Sequence, residues 1–245
     1  MSNDPDRSRP ANPSVDTNKR QDNSLWLQMW RDDRTEDFHQ TAVNPLLIQY
    51  WHSQKLKRSS RILVPLCGKS LDMLWLAEQG HTVVGIELSP IAVKAFFNEN
   101  CLKAKKTRNG NFTCWQSGTI IIWCGDFFSL RKHQLGHIDS VFDRAALTAL
   151  PETIRRQYIT QLRALIEVET GIFLLTDEHI AQDSQQPATQ IDSEIVTLYA
   201  EHFDITLTHT QRLDPAQGSS SEEGFYIENK AYQLSQRLED TGLFT

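Results

Sequence analysis

No two cysteines in this chain are spaced Cys-x-x-Cys. Cys67, Cys101, Cys114 and Cys124 stand apart, which argues against a zinc site or a redox dithiol. Reduced thiols in a cytoplasmic protein are therefore the expectation. No window approaches the roughly 18 consecutive apolar residues of a membrane span. The first 24 residues carry no apolar segment and so do not read as a secretory signal. Positive charge is also short: the formal net charge is −6, which leaves no general footprint for nucleic acid. The one basic run, Lys103 to Arg108, reads as a solvated helix end that suits the helix dipole.

Glycine is missing where phosphate chemistry would need it. RILVPLCGKSLDML, residues 61–74, contains a Gly-Lys-Ser, but a P-loop requires a further glycine five residues before Gly68, and Leu63 stands there. The segment 64–70 holds a single glycine, so the dinucleotide pattern G-x-G-x-x-G fails as well. Whatever binds at this loop need not carry a pyrophosphate.

What is present is an alternation of strands and helices. The 245 residues, 39% of them hydrophobic, suffice for one large core. A single domain over 25–245 is expected behind a polar tail, 1–24, whose composition predicts disorder. Trp26 and Trp30 lie four apart, on one face of a short helix. Asn44-Pro45 opens a second helix as cap and first residue. Strand 61–66, helix 69–79 stopped by Gly80, strand 81–87 and a helix capped by Ser89-Pro90 follow. Runs 112–115 and 119–124 read either as a hairpin insertion or as an edge strand beside a core strand. Strand 140–142, helix 152–166, strand 172–176, helix 191–202 and strands near 203–210 and 225–233 complete a doubly wound, mainly parallel α/β sheet.

In such a sheet the ligand sits beyond the carboxyl ends of the central strands, so Leu66 to Gly68, Glu87, Asp126 and Asp143-Arg144 are the informative positions. Glu87, 19 residues after Gly68, can accept hydrogen bonds from a ribose diol, or it can serve only the Ser89-Pro90 helix start. Asp126 can accept from an adenine amino group with Phe127 beside the ring, or it can simply make its own turn. A ribose acid and an adenine acceptor without a phosphate cradle describe a nucleoside with a non-phosphate tail. S-adenosylmethionine fits. Methyl transfer from a sulfonium is a one-step displacement that needs positioning and exclusion of water, not a covalent nucleophile. No catalytic nucleophile, triad or metal site is expected, in keeping with the scatter of the histidines.

WLQMW, FHQ, LVPLCGKSLDMLWLAEQGHTVVGIELS and FDRAAL resemble the thiopurine S-methyltransferase family, especially its bacterial branch, over about residues 25–235. The resemblance implies a class I S-adenosylmethionine-dependent fold with a seven-stranded sheet and extra N-terminal helices. It also implies cofactor contacts at Trp30, Leu66, Gly68, Glu87 and Arg144, with Asp126 and Phe127 in the adenine segment. Phe38, His39 and Arg144 would face the acceptor. Trp30 could cover the sulfonium by cation–π attraction. Arg144 could pair with a carboxylate or an anionic acceptor, or could form only a local ion pair with Asp143. The implied acceptor is a small thiol, a thiopurine or similar aromatic or heterocyclic thiol, with selenium or tellurium species in range. A monomer is expected, and the charge and hydropathy above predict no nucleic-acid or membrane partner. The acceptor region departs from the family pattern, with Asp183 to Ala188 replacing a Gly-Pro-Pro-Phe-like turn and no basic residue between Arg212 and Lys230. A nucleotide-dependent oxidoreductase and a non-catalytic S-adenosylmethionine-binding module are the competing readings.

Overall fold

The computed structural model describes residues 23–35, 39–181, 192–212 and 225–237. Helix α1 covers 23–31, so residues 23 and 24 of the expected tail are helical; residues 1–22, Phe38 and the 183–188 segment lie outside the described residues. Helix α2, Pro45–Tyr50, starts as its sequence dictates: the Asn44 side chain accepts from Leu46 N–H at 2.9 Å, with proline at the first helical position. Strand β1 (Arg61–Val64), helix α3 (Asp72–Glu78), strand β2 (Thr82–Glu87) and helix α4 (Pro90–Glu99) follow. Ser89 Oγ caps α4 by accepting from Ala92 N–H.

The next three strands are β3 (Lys105–Asn109), β4 (Phe112–Ser117) and β5 (Ile120–Cys124). They are followed by helix α5 (Lys132–Leu135), strand β6 (Ser140–Arg144), helix α6 (Glu152–Leu165), strand β7 (Gly171–Ala181), helix α7 (Ser193–Tyr199) and strands β8 (Phe203–Arg212) and β9 (Phe225–Gln236).

The strands form one sheet in the order β3-β4-β5-β2-β1-β6-β7-β9-β8. Neighbours β5, β2, β1, β6 and β7 are all parallel, while β4 and β9 run against their neighbours. Among the described residues the sheet therefore has nine strands where seven were expected: the seven from β5 to β8, plus the hairpin β3-β4 added at the β5 edge. The basic run is no helix end, because α4 stops at Glu99 and most of the run lies in β3, with every β3 residue exposed. Gly110, at φ +57°, closes the turn to β4, a left-handed conformation that glycine adopts without a Cβ penalty. The Lys106 ammonium nitrogen lies 3.6 Å from the Trp115 ring centre, a cation–π contact between the edge strand and its neighbour.

Two apolar layers flank the sheet. On one face, α6 and α7 bring Ile154, Tyr158, Ile159, Leu162, Leu198 and Tyr199 against Val141, Leu174 and Tyr232. On the other, α2, α3 and α4 bring Leu47, Met73, Leu76, Phe96 and Phe97 against Ile62, Val64, Phe142 and Phe173. Within β6 the side chains alternate. Val141 and Asp143 therefore face the α6 layer, and Phe142 and Arg144 face the α2 layer.

Candidate functional site

The loop after β1 is held by backbone bonds and by one carboxylate. Cys67 N–H donates to Ile86 O at 3.0 Å and Ser70 N–H to Cys67 O at 3.1 Å. Leu66 (φ +46°) and Gly68 (φ +53°) both adopt left-handed conformations, and Ala145 just past β6 does the same at φ +59°. Strained non-glycine residues at two adjacent strand ends mark a place where the backbone is shaped for something other than stability. Gly68 also sits under an indole: a Cβ there would come to 3.4 Å from Trp30. These turns delay α3 to Asp72, three residues later than its sequence pattern suggests.

Glu87 is buried and accepts from Gly68 N–H at 2.8 Å through Oε2 and from Ser89 N–H at 2.6 Å through Oε1. It therefore does serve the start of α4. Each oxygen retains capacity for another donor. Burial pushes its carboxyl above the usual glutamate range, and the backbone donors only partly offset this.

These elements enclose a cavity of about 920 Å³, its open mouth included. Trp30, Leu66, Gly68, Glu87, Asp126, Phe127, His39 and Arg144 all line it, whereas Asp143, on the opposite face of β6, does not. Asp126 also makes its own turn, accepting from Phe128 N–H at 3.0 Å and from the Ser129 hydroxyl. Phe127 packs on Tyr158, with ring centres 5.1 Å apart. The imidazole of His39 is held below its usual pKa, first by burial and then by the charges of Lys69 and Arg144. Arg144 does not pair with Asp143. Its Nε donates to Asp72 at 2.8 Å and its Nη2 to Ser70 at 3.2 Å, while Asp143, on the other face, accepts from Tyr158 O–H at 2.6 Å.

Several lining residues escaped the sequence reading: Trp26, Ser70, Lys69 and Leu150. Trp26 had a usable signal, since it shares a helical face with Trp30; its indole N–H donates to Ala149 O at 3.1 Å and ties α1 across the cavity. Among the described residues, no cluster of three or more His, Cys, Asp or Glu is placed to hold a metal ion. Among the described residues, no helix is long and apolar enough to cross a membrane.

The family described as thiopurine S-methyltransferase matches residues 21–237. The chain belongs to the thiopurine S-methyltransferase family. A thiopurine S-methyltransferase of Stutzerimonas stutzeri is 50% identical over 218 residues, covering 87% of this chain and 91% of the relative. One from Bordetella petrii is 39% identical, covering 88% and 99%. Among solved structures, a Burkholderia thailandensis 1,6-didemethyltoxoflavin-N1-methyltransferase, bound to 1,6-didemethyltoxoflavin and S-adenosylhomocysteine, aligns with a TM-score of 0.57 at 16% identity over 94% of each chain. A methyltransferase from Anabaena variabilis aligns at 0.58 and 13% identity over 88% of this chain and 95% of that one.

As a member of this family the protein is an S-adenosylmethionine-dependent methyltransferase, not a nucleotide-dependent oxidoreductase. The cavity fits that cofactor on its own evidence. It is lined by a buried carboxylate with acceptor capacity to spare and by an indole over the loop glycine.

Proposed function

We propose that the protein transfers the methyl group of S-adenosylmethionine to the sulfur of a small aromatic or heterocyclic thiol, with thiopurines and related selenium or tellurium compounds as acceptors. The observation that carries this reading is the single cavity in which Glu87, Trp30 and Arg144 meet at the ends of β2, α1 and β6. When bound, the cofactor supplies an electrophilic methyl on a sulfonium. The chain's own residues would do the rest. Glu87 would take the ribose hydroxyls, Leu66, Gly68 and the Asp126-Phe127 turn would frame the nucleoside, and Trp30 would exclude water from the cationic centre. Arg144 would hold the acceptor's sulfur as its anion, the better nucleophile. His39, kept neutral, has a lone pair available for a thiol proton at the same end.

Arg144 brings a further argument for an acceptor beside it. A second, smaller polar pocket shares Arg144 and Ala145 with the large cavity and is lined by Gln40, Asn44, Thr176, Asp177 and Asn229. Arg144 thus stands in the wall between a nucleoside-sized space and a polar recess. It would act as a monomer.

The experiment is methyl transfer from radiolabelled S-adenosylmethionine to a panel of thiopurines, thiophenols, selenols and oxygen analogues. Label should pass to the sulfur and selenium compounds and not to the phenols. Turnover of phenols alone, or of none of the panel while the cofactor binds, would overturn the assignment, the latter in favour of a non-catalytic binding module.

A further inference from the structure

One buried carboxylate links three separate segments at the acceptor end of the cavity. Asp72, only 1% exposed, opens α3. Its Oδ2 accepts from Arg144 Nε at 2.8 Å and from the Ser70 hydroxyl at 2.9 Å. Its Oδ1 accepts from the backbone N–H of Asn44 at 2.8 Å, at the cap of α2. Ser70 in turn accepts from Arg144 Nη2 and from Asp72 N–H, each at 3.2 Å. The post-β1 loop, the end of β6 and the start of α2 therefore converge on one side chain.

The geometry of the pair decides what Arg144 can do. A guanidinium has five N–H donors in a rigid fork. Here the side edge, Nε with Nη2, is spent on Asp72 and Ser70. Among the described residues the donors of Nη1 are not engaged, and the arginine lines both the cavity and the polar recess. With its side edge fixed, the planar group cannot swing, and its remaining edge keeps one direction.

We infer that Asp72 is a positioning residue for the methyl transfer: it fixes the plane of Arg144 so that the guanidinium's open edge meets the acceptor's ionised sulfur, and it ties that arginine to the α2 segment bordering the recess. This rests on Arg144 acting at the acceptor, as proposed above. Asp72 touches neither substrate nor cofactor in this role. Its effect is carried by orientation, where a displacement of about 1 Å can cost on the order of 100-fold in rate.

The test is a double-mutant cycle of Asp72→Asn and Arg144→Ala, with acceptor kinetics, calorimetric affinity for S-adenosylhomocysteine and melting temperature measured on each protein. Asp72→Asn should lower kcat/KM for an acidic thiol by roughly 10- to 100-fold while product affinity moves by less than about threefold. In the Arg144→Ala background the same change should add less than about threefold, since there is no guanidinium left to orient. Losses that multiply in the double mutant would show a merely structural role and overturn the inference, as would a folded Asp72→Asn enzyme with wild-type kinetics. If Arg144→Ala alone turned over normally, the acceptor role of Arg144 would fall and this inference with it. That outcome is distinct from an inert Asp72 beside an essential Arg144. Should Asp72→Asn fail to fold, Ser70→Ala, which removes the Nη2 contact together with the two Ser70–Asp72 hydrogen bonds and leaves the Arg144 Nε–Asp72 pair, completes the same cycle with the same expected non-additivity.

Discussion

Two backbone N–H groups already donate to the Glu87 carboxylate, so the side chain is oriented before any ligand arrives and no rotamer entropy is lost on binding. Replacing it by alanine removes acceptors for ribose and leaves the Gly68 and Ser89 donors unpaired. Glu87→Ala should therefore weaken cofactor binding by about 2–4 kcal/mol, the range for buried charge-assisted hydrogen bonds. The raised pKa of Glu87 adds a pH signature. Ribose hydroxyls favour the ionised carboxylate, so affinity should fall as pH drops through a value above the ordinary 4.5, not at it. Calorimetry with S-adenosylhomocysteine from pH 8 to 5 checks both; an unchanged affinity in a folded alanine variant would remove Glu87 from the site. The spacing of Glu87 from Gly68 made this residue legible in the sequence. Arg144's partner was not, because its neighbour Asp143 in the chain points to the opposite face of the strand, and its true partner Asp72 is 72 positions away.

Helix α1 borders the cavity through its two tryptophans. Trp30 packs over Gly68 and the Trp26 indole donates to Ala149 O, part-buried, in the segment after β6. A neutral hydrogen bond of this kind contributes about 1 kcal/mol, so Trp26→Phe, which keeps an aromatic ring, should weaken cofactor affinity roughly fivefold with little change in melting temperature. Hydrogen exchange over residues 23–31 should speed up in parallel; unchanged exchange together with unchanged affinity would show that α1 is held by other contacts. Most elements were readable because their signals are local: an asparagine or serine cap before proline, apolar runs for buried parallel strands, and 3.6-residue periodicity in α6. Strand β3 was not readable. All of its residues are exposed, so its lysines and arginine carry no apolar period that distinguishes strand from helix end. The short α5 likewise has only four residues on which a pattern could show.

At the scale of the whole molecule, a carboxylate sits inside the larger of the two apolar layers. Asp143 is fully buried beneath α6, and burial pushes its carboxyl up to about 6, with the Tyr158 hydroxyl and the Ala146 backbone N–H partly opposing that shift. In the unfolded chain the same group titrates near 3.8. The native state therefore binds the proton more tightly, and the stability tied to this group is complete below about 3.8 and lost as pH rises through about 6. At about 1.4 kcal/mol per tenfold in proton affinity, the native state carries a penalty of about 3 kcal/mol at neutral pH. Asparagine keeps the shape and can still accept from Tyr158, but it does not ionise. Asp143→Asn should thus melt several degrees above wild type at pH 7.5, and the gap should close as both proteins are taken to pH 4.5. Glu87 titrates in the same direction in both proteins, so it cancels from the difference. Differential scanning calorimetry at five pH values decides the matter: a gap that stays constant, or a variant less stable at every pH by the same amount, would mean that Asp143 does not titrate between the two states. A gap that closes as predicted would mean that a buried aspartate is kept at the strand end that carries Arg144 at a cost to the fold at neutral pH, as functional sites often are.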